Sequence, residues 1–323
     1  MKNICILTNT LLSGGAEKQA ALLSTVLNDK FNVWLIVYHG EFIENKFKKM
    51  LDKKKVNVIM LKGGNLKKLF KLFWFIRKNS IDIIFSYLLK TNLIGSLIGM
   101  LSGVKFIFGG IRDSFFPRRK VYLYRFIHNN LCYGNIYNNY RGVENLSKIG
   151  FKKKKSIVIP NCIDIKTNPI VRTNNDKIKI LTVGRFTVKK DYLSSIKTIA
   201  LLKNNYKNIE YTIIGWGELE NKVRNWIIEN KINEITDVVI NPKNLNDYYI
   251  NSDIYLQTSI YEGCPNTVLE AMSFSLPTVL TDVGDNNILA NDNEFLYQPG
   301  DIKGLYSGLN KLISSYELRI QNG

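Results

Sequence analysis

The sequence has few of the residues that build metal centres and disulfide frameworks. It contains two histidines and four cysteines among 323 residues. The cysteines stand singly, without a Cys-x-x-Cys pair, at Cys5, Cys132, Cys162 and Cys264. This usage argues against a zinc site and against a stabilising set of disulfides. We therefore expect a protein of the reducing cytoplasm.

Long apolar runs are also lacking. The longest candidate, residues 93–104, is interrupted by glycine and serine and bounded by Lys90 and Lys105. A bilayer span needs about 20 apolar residues, so we predict a buried helix here instead. The short apolar run at residues 4–7 is followed by no cleavage-type sequence, which favours a first strand over a signal peptide.

Acidic residues are scarce in the first half of the chain. Residues 1–160 hold 28 Lys and Arg against 8 Asp and Glu, whereas the remainder holds 17 against 19. Such an excess suggests that the first half faces a polyanion, either anionic lipid or nucleic acid. Nucleic acid is disfavoured because the aromatic residues cluster with apolar stripes instead of alternating with basic residues along a strand. A solvated lysine-rich surface is the alternative.

Apolar runs alternate with helical patterns along the whole chain. The strand-like K-N-I-C-I-L-T is followed by the helix-like A-E-K-Q-A-A-L-L-S-T-V-L, and a similar alternation restarts with I-K-I-L-T-V-G. This order is typical of parallel sheets covered by helices. We predict an α/β protein of two doubly wound, Rossmann-like domains, residues 1–165 and 166–323. Ligands are expected at the carboxyl ends of the strands.

One helical segment, residues 65–78, mixes lysines with aromatic residues. Helical spacing predicts a core-facing stripe at Leu66, Leu69, Phe70, Phe73 and Ile76. Phe75 is predicted to project from the opposite side between lysines, with Trp74 at the boundary, as in helices that lie on membranes. Residues 115–126, rich in arginine and tyrosine, would enlarge this surface. A basic solvated face with one stray aromatic is the alternative.

The stretch Y-E-G-C-P-N-T-V-L-E-A-M, residues 261–272, sets two carboxylates around a loop that opens into a helix. Glu262 precedes glycine and proline and is predicted on a turn, whereas Glu270 falls in a helical apolar run. The N–H groups at the helix start would favour a phosphate or a sugar oxygen. In the alternative interpretation, Thr267 and Glu270 form a capping box.

Two further segments carry candidate phosphate ligands. In G-R-F-T-V-K-K-D, Arg185 and Lys190 leave a predicted strand end, and two cations there suit a diphosphate. Gly14 and Gly15 follow the first strand, where a glycine turn lets backbone approach a ligand. The chain has no G-x-G-x-x-G or Walker-type sequence, which argues against nicotinamide cofactors and ATPase chemistry.

Taken together, five motifs resemble, in order and spacing, those of the retaining GT-B glycosyltransferases of the large family numbered four. They are S-G-G-A-E, I-P-N-C-I-D, G-R-F-T-V-K-K, I-I-G-W-G-E-L and E-G-C-P-N-T-V-L-E-A-M-S. The resemblance covers nearly the whole chain. It implies a GT-B fold, in which two Rossmann-like domains face each other across a cleft and the second binds a sugar nucleotide.

The resemblance also implies roles for individual residues, with Arg185, Lys190 and Glu262 as the catalytic ones. Arg185 and Lys190 would hold the donor diphosphate, Glu262 would contact hydroxyls of the donor sugar, and Glu270 would hydrogen-bond the ribose. The backbone of Cys264, Pro265, Asn266 and Thr267 would touch the sugar and phosphate, and Gly14 and Gly15 would close on the phosphates from the first domain. Family members transfer the sugar with retention and without a bound metal or other cofactor, which suits the lack of a D-x-D-like pair.

Three departures from the family pattern stand out. Many relatives have a histidine where this chain reads F-I-F-G-G-I-R-D-S, with Arg112 and Asp113; the two histidines present, His39 and His128, lie outside the motifs, and we expect surface or packing roles for them. The glutamate expected after V-G is replaced by Asp285, Asn286 and Asn287. The helix that crosses back to the first domain in relatives is expected to be missing.

These observations predict a cytoplasmic, metal-independent hexosyltransferase, peripherally bound to the inner face of the cytoplasmic membrane. It would move a sugar from a nucleotide donor, most favourably UDP-linked, to a lipid-linked or surface-polysaccharide precursor. Two alternatives remain: a non-catalytic membrane- or nucleic-acid-binding protein of the same fold, and a sugar-nucleotide epimerase. The scarcity of histidine disfavours the epimerase, which needs acid–base side chains.

Overall fold

Runs of isoleucine, valine, leucine and phenylalanine form two parallel sheets, one in each half of the chain. The structure is a computed structural model that describes residues 1–12, 14–112, 118–163, 170, 172–290 and 294–323. The chain divides into unit 1, Met1–Asn161, and unit 2, Cys162–Gly323. The prediction of an α/β fold with two doubly wound sheets is confirmed.

Unit 1 contains a seven-stranded sheet with the order β3-β2-β1-β4-β5-β6-β7. The strands are β1 Asn3–Thr8, β2 Asn32–Val37, β3 Asn57–Met60, β4 Ile83–Tyr87, β5 Phe106–Ile111, β6 Gly134–Tyr137 and β7 Ser156–Val158. The helices are α1 Gly15–Leu27, α2 Asn45–Lys53, α3 Asn65–Lys78, α4 Leu89–Leu101, α5 Arg118–Phe126 and α6 Tyr140–Lys148. Apolar side chains of α1 and α2 pack into one core cluster, and those of α3 and α4 into another.

Unit 2 contains a six-stranded sheet with the order β10-β9-β8-β11-β12-β13. The strands are β8 Ile178–Val183, β9 Ile209–Gly215, β10 Thr236–Ile240, β11 Ile254–Gln257, β12 Thr278–Thr281 and β13 Leu296–Tyr297. The helices are α7 Tyr192–Lys203, α8 Glu220–Glu229, α9 Asn246–Ile250, α10 Asn266–Ser273, α11 Asn286–Leu289, α12 Ile302–Ser314 and α13 Tyr316–Gln321. The strand order reverses between β8 and β11, and ligands of such sheets bind at the carboxyl ends beside that reversal.

Helix α3 occupies the predicted residues, but it buries a different face from the predicted one. Its buried side chains are Lys68, Leu72 and Ile76. Phe75, predicted to project towards lipid, is half-buried and packs edge-on against Trp34 with ring centroids 6.0 Å apart. The prediction for Phe75 is therefore wrong.

The outer face of α3 is apolar as well. Leu66 and Phe70, predicted as core residues, are 80% and 68% exposed, and Trp74 is 61% exposed. These three side chains lie one turn apart, at the i, i+4 and i+8 positions. Apolar residues occupy most of the helix circumference, so spacing alone fits two orientations. Contact with the sheet and with α4 selects the observed orientation.

Helix α4, Leu89–Leu101, confirms that a helix forms near the predicted residues 93–104, and its fully buried residues are small or polar. Gly95, Ser96 and Gly99 face the sheet. A Cβ atom added at Gly99 would lie 2.8 Å from Ile84 Cδ1, so the helix packs unusually close to β4. Three of its large apolar side chains are exposed, whereas its isoleucines pack partly buried against the core; the exposed three are Leu97, Met100 and Leu101. None of the helices in the described ranges combines the length and hydropathy that a membrane span requires.

His128 is a buried packing residue in unit 1. Its Nδ1 lies 2.8 Å from Asn135 Oδ1, and the Asn92 amide nitrogen lies 3.3 Å from its Nε2. This pattern fits the neutral tautomer that carries its proton on Nδ1. Burial lowers the pKa of His128 to about 4, against the opposing hydrogen bond with Asn135, so the ring is neutral at pH 7.

Arg172 fixes the beginning of unit 2 to the core of that unit. Its guanidinium donates to the backbone carbonyls of five residues, namely Tyr249, Ile250, Ser252, Phe274 and Ser275. Burial lowers the pKa of Arg172, and the nearby carboxylate of Asp253 opposes that shift. Because these carbonyls lie at and just after the ends of α9 and α10, Arg172 satisfies acceptors that the helices leave open.

Candidate functional site

The carboxyl end of β8 carries the two predicted cations. Gly184 and Arg185 follow the strand, and a short 3₁₀ turn, Val188–Lys190, leads into α7. Asp191 caps that helix in a left-handed conformation, with φ of 45°, and its carboxylate accepts a 2.6 Å hydrogen bond from the Ser194 hydroxyl. This tight connection returns Lys190 towards the end of its own strand, so both cations lie at the strand-order reversal.

Lys190 and Glu262 form an ion pair at this edge of the sheet. Lys190 Nζ lies 2.5 Å from Glu262 Oε1, and both side chains are largely buried. The Ser259 hydroxyl donates to the same carboxylate oxygen at 2.8 Å. Glu262 lies in the predicted loop, after β11, and the backbone N–H of Ile260 bonds the carbonyl of Lys189. Two of the three predicted catalytic residues are thus in direct contact.

Arg185 lies beside an aromatic residue. Its guanidinium carbon is 5.9 Å from the ring centroid of Trp216, which follows β9 and is part-exposed. A Cβ atom added at Gly215 would lie 2.0 Å from the carbonyl oxygen of Gly184, so the ends of β8 and β9 approach so closely that only glycine fits. This approach brings Trp216 to the same edge as Arg185.

Helix α10 presents its amino-terminal turn from the same loop as Glu262. Glu270 is helical, as predicted, and its carboxylate accepts a 3.0 Å hydrogen bond from the Tyr249 hydroxyl. Thr267 lies inside the helix, and no side chain caps its start. The capping-box interpretation of Thr267 and Glu270 is therefore wrong, because the helix begins one residue before Thr267.

Cys264, Pro265 and Asn266 connect Glu262 to α10. Cys264 and Pro265 are buried, and Asn266 opens the helix. The first N–H groups of a helix have no acceptor within it, so backbone donors gather at this turn. Gly284 follows β12 with φ of 55° and packs closely against this loop, because a Cβ atom there would lie 2.1 Å from the carbonyl oxygen of Gly263.

Gly14 and Gly15 belong to unit 1, at the start of α1. Gly14 precedes the helix and Gly15 begins it, as the β1–α1 glycine turn predicts. The carboxylate of Glu17 folds back against Gly14 and also accepts a 2.9 Å hydrogen bond from the Thr10 hydroxyl. An acidic group therefore already stands at this helix terminus, which favours negative charge.

The positions that depart from the family pattern are only partly described. The Arg112 guanidinium lies 4.9 Å from the ring centroid of Tyr87, while Asp113 is outside the described residues. Asp285 is buried, and its N–H bonds the carbonyl of Gly263. The amide nitrogen of Asn286 donates to the Gln257 side chain and to the carbonyl of Thr281. Asn286 therefore links the ends of β11 and β12, while Asp285 contacts the loop that carries Glu262.

Sequence reasoning missed three residues that shape the site: Ser259, Trp216 and Gly284. Trp216 lies within the I-I-G-W-G-E-L motif, and its position directly after a predicted strand could have indicated a residue of the site. Ser259 and Gly284 act through contacts with the Glu262 loop, which residue type alone does not reveal. Among the described residues, no three His, Cys, Asp or Glu side chains are grouped as metal ligands.

Comparison with known proteins relates the second half of the chain to a family. Residues 165–322 match the family of glycosyl transferases group 1. An uncharacterized glycosyltransferase of Methanocaldococcus jannaschii is 23% identical over 82% of this chain and 75% of its own length. The UDP-Gal:α-D-GlcNAc-diphosphoundecaprenol α-1,3-galactosyltransferase of Escherichia coli is 24% identical over 82% of this chain and 74% of its own length.

The fold agrees with this match. The crystal structure of Anabaena HepE in complex with UDP-glucose is 17% identical, superposes with a TM-score of 0.84, and is matched over 100% of this chain and 92% of its own. The chain is a GT-B glycosyltransferase. The GT-B resemblance inferred from five motifs is confirmed.

The matched family segment contains most of the candidate site of this glycosyltransferase. Arg185, Lys190, Glu262 and Glu270 all fall within residues 165–322 and within unit 2. Gly14 and Gly15 lie outside that segment. The individual roles predicted for these residues stay predictions, as does the metal-free character of the reaction.

Proposed function

We propose that this glycosyltransferase is a retaining, metal-independent hexosyltransferase of family four that transfers a sugar from a UDP-sugar to a lipid-linked precursor of a surface polysaccharide. The observation that carries the proposal is the Lys190–Glu262 pair at the carboxyl edge of the unit 2 sheet. Arg185 and the first turn of α10 lie at the same edge. Cations and helix N–H groups suit the diphosphate, and carboxylates suit sugar hydroxyls.

The same groups account for the chemistry. When the bond between the sugar carbon and the phosphate oxygen breaks, negative charge develops on the departing UDP. Arg185 and Lys190 stabilise that charge more strongly in the transition state than in the ground state, which raises the rate of the chemical step. Lys190 has three N–H donors, so it can keep its contact with Glu262 and still bind phosphate. The departing phosphate oxygen takes the proton of the acceptor hydroxyl.

Two comparisons support a uridine donor and a lipid-linked acceptor. HepE was crystallised with UDP-glucose, and the E. coli relative is named for a UDP-galactose donor and a diphosphoundecaprenol-linked acceptor. Trp216 supplies a part-exposed aromatic ring beside Arg185. Such a ring suits stacking with a nucleotide base.

The donor proposal predicts selective thermal stabilisation by UDP. A ligand at 100 times its Kd stabilises the folded state by about 2.7 kcal/mol, which corresponds to several degrees in Tm for a chain of this size. We expect UDP to raise Tm more than GDP, ADP or CMP do, and Arg185→Ala to abolish the rise. Differential scanning fluorimetry measures both.

The matched control is Arg224→Ala. Arg224 is an exposed residue of α8 whose partner is Glu220 on the same helix, so its removal leaves the donor site intact. A wild-type chain that responds to no nucleotide would refute the donor assignment. Consumption of UDP-sugar without any acceptor, with a changed sugar instead of free UDP, would favour the epimerase alternative.

We also propose that the protein contacts an anionic membrane to reach its acceptor. The contact surface is formed by other residues than Phe75, which was predicted to form it. Leu66, Phe70 and Trp74 project from α3, and exposed apolar side chains of the neighbouring α4 accompany them. On α5, Tyr122 and Phe126 are exposed too. The lysines of α3 and the overall excess of positive charge in residues 1–160 favour an anionic surface. Phe115, named in the sequence prediction, lies outside the described residues.

Removing the large apolar side chains of α3 is expected to weaken membrane binding. Burying one such side chain contributes about 1.5–3 kcal/mol, so Phe70→Ser or Trp74→Ser is predicted to lower the vesicle partition coefficient at least about ten-fold. Co-sedimentation with vesicles rich in anionic lipid measures the effect. Ile228→Ser, which removes an equally exposed apolar residue from unit 2, is the control. Equal losses in all three variants would count against the α3 surface.

A further inference from the structure

A second cluster of cationic side chains lies in unit 1, at the ends of strands β1 and β2. Tyr38 and His39 follow the carboxyl end of β2, and their backbone N–H groups bond the carbonyls of Thr8 and Asn9 after β1. Lys68 reaches them from α3 and Lys90 from the start of α4. Residues from three separate segments therefore converge at the carboxyl edge of the unit 1 sheet.

The two ammonium groups flank one imidazole and one aromatic ring. Lys90 Nζ lies 2.7 Å from His39 Nε2, and Lys68 Nζ lies 3.5 Å from His39 Nδ1. The same ammonium groups are 4.9 Å and 5.3 Å from the ring centroid of Tyr38. Lys68 is only 3% exposed, which is rare for a lysine that lacks a carboxylate.

No negative charge within the described part of the chain balances this cluster by direct contact. Neither Lys68 nor Lys90 forms an ion pair with a carboxylate among the described residues. Helices α3 and α4 also start here, and neither has an acidic residue in its first turn or a side-chain cap. Two positive helix ends and two lysines therefore meet, an arrangement that favours a bound anion.

The imidazole of His39 cannot form hydrogen bonds with both ammonium groups. A neutral imidazole accepts at one nitrogen and donates at the other, so it can accept from only one of the two ammonium groups. Burial lowers the pKa of His39, and Lys90 and Lys68 lower it further against the opposing effect of Glu41, so the ring does not relieve the mismatch by taking a second proton. One oxygen of an anion, lying beside the ring N–H and Lys68 and accepting from each, would pair both donors.

Backbone strain marks the same place. Leu88, which precedes α4, has φ of 71°, a left-handed conformation that is costly for a bulky side chain. Strain of this kind is concentrated at ligand sites. Because Leu88 sets the start of α4, it also sets the position from which Lys90 reaches His39.

The geometry points to a diphosphate-binding site, made by Lys68, Lys90 and His39, that holds the diphosphate of a lipid-diphosphate-linked acceptor. This inference rests on the proposed function and names the subsite that holds the acceptor. Helix α3 connects this cluster to the proposed membrane surface, because it carries Lys68 on its inner face and the Leu66, Phe70 and Trp74 stripe on its outer face. An acceptor anchored in the bilayer that α3 contacts would carry its diphosphate near this helix. The cluster binds and positions the acceptor and takes no part in bond breaking.

Calorimetric titration with geranyl diphosphate tests the site, using the full chain with Arg185→Ala so that the donor site does not take up the ligand. We expect Lys90→Met to weaken binding at least about ten-fold, because a charge-assisted hydrogen bond is lost. Lys68→Met is expected to act similarly while preserving the packing volume. Lys71→Met, an exposed lysine of the same helix, is the control for net charge and should change little. Inorganic phosphate should bind more weakly than geranyl diphosphate.

Three outcomes would overturn the inference. The first is an equal affinity of the Lys90→Met and Lys71→Met chains for geranyl diphosphate. The second is an equal affinity for inorganic phosphate and geranyl diphosphate. The third is binding to anionic vesicles that depends on Lys90 and is not competed by geranyl diphosphate. The third outcome would mean that the cluster binds lipid headgroups. Titration of the wild-type chain with UDP separates this inference from the proposed function. If UDP binds but Lys90→Met does not change the affinity for geranyl diphosphate, only the acceptor site is refuted. If UDP does not bind but Lys90→Met weakens the binding of geranyl diphosphate, only the donor assignment is refuted.

Discussion

Replacing Lys190 by methionine is expected to lower the rate of sugar transfer by about two to three orders of magnitude. Loss of one preorganised donor to a developing negative charge has a cost of this size. Lys190 is also the direct partner of Glu262, so the variant removes the ammonium that pairs with this largely buried carboxylate, to which the Ser259 hydroxyl also donates. The measurement is UDP released from a UDP-sugar in the presence of membranes that supply the acceptor.

Two controls make the Lys190 result specific. Lys197→Met removes an exposed lysine of α7 and should retain full activity. Glu262→Gln keeps the shape of the side chain and should also lose activity, because the amide neither pairs with Lys190 nor accepts as strongly from sugar hydroxyls. If Lys190→Met and Lys197→Met released UDP at the same rate, the assignment of the unit 2 edge as the donor site would fail.

Replacing Arg172 by alanine is expected to destabilise unit 2 by about 3–5 kcal/mol. Five backbone carbonyls lose their donor, and each buried acceptor left unpaired costs about 1–3 kcal/mol unless water enters. Domains have only about 5–15 kcal/mol of stability, so the loss should shift the urea midpoint clearly. Arg172→Lys should restore part of it, because an ammonium reaches fewer of the five carbonyls.

The comparison for Arg172 is Arg224→Ala in the same unit. The Arg224–Glu220 pair is exposed, and such pairs contribute about 0–1 kcal/mol. Urea unfolding followed by tryptophan fluorescence compares the two variants. An Arg172→Ala chain no less stable than Arg224→Ala would show that the guanidinium contacts add nothing to the fold.

Local sequence predicted the elements that carry the site, because their signals are local. Alternation of apolar runs with helical patterns indicated two parallel sheets. Glycine and proline after Glu262 indicated a loop, and the apolar run around Glu270 indicated a helix, as observed. The motifs also placed Arg185 and Lys190 after a strand, since a strand end is a property of a few consecutive residues.

Tertiary packing decided which face of a helix is buried and which distant side chains meet. Helix α3 is apolar around most of its surface, so its spacing fitted two orientations, and the contact of Phe75 with Trp34 selected the one that exposes Phe70. Lys68 gave no sign of burial in the sequence, since its partners His39 and Tyr38 lie on another segment. The capping box of Thr267 failed because the helix start, which sequence signals locate poorly, fell before it.

The sequence by itself determined the fold class, the strand ends and the residue types available there. Only the tertiary structure decided which of them meet. Lys190 and Glu262 are far apart in the chain and touch because β8 and β11 are neighbours in the sheet. His39, Lys68 and Lys90 converge for a similar reason, since β2 and the starts of α3 and α4 share one sheet edge. Contacts between distant segments depend on strand order and helix orientation, which the burial of apolar surface fixes for the whole unit at once.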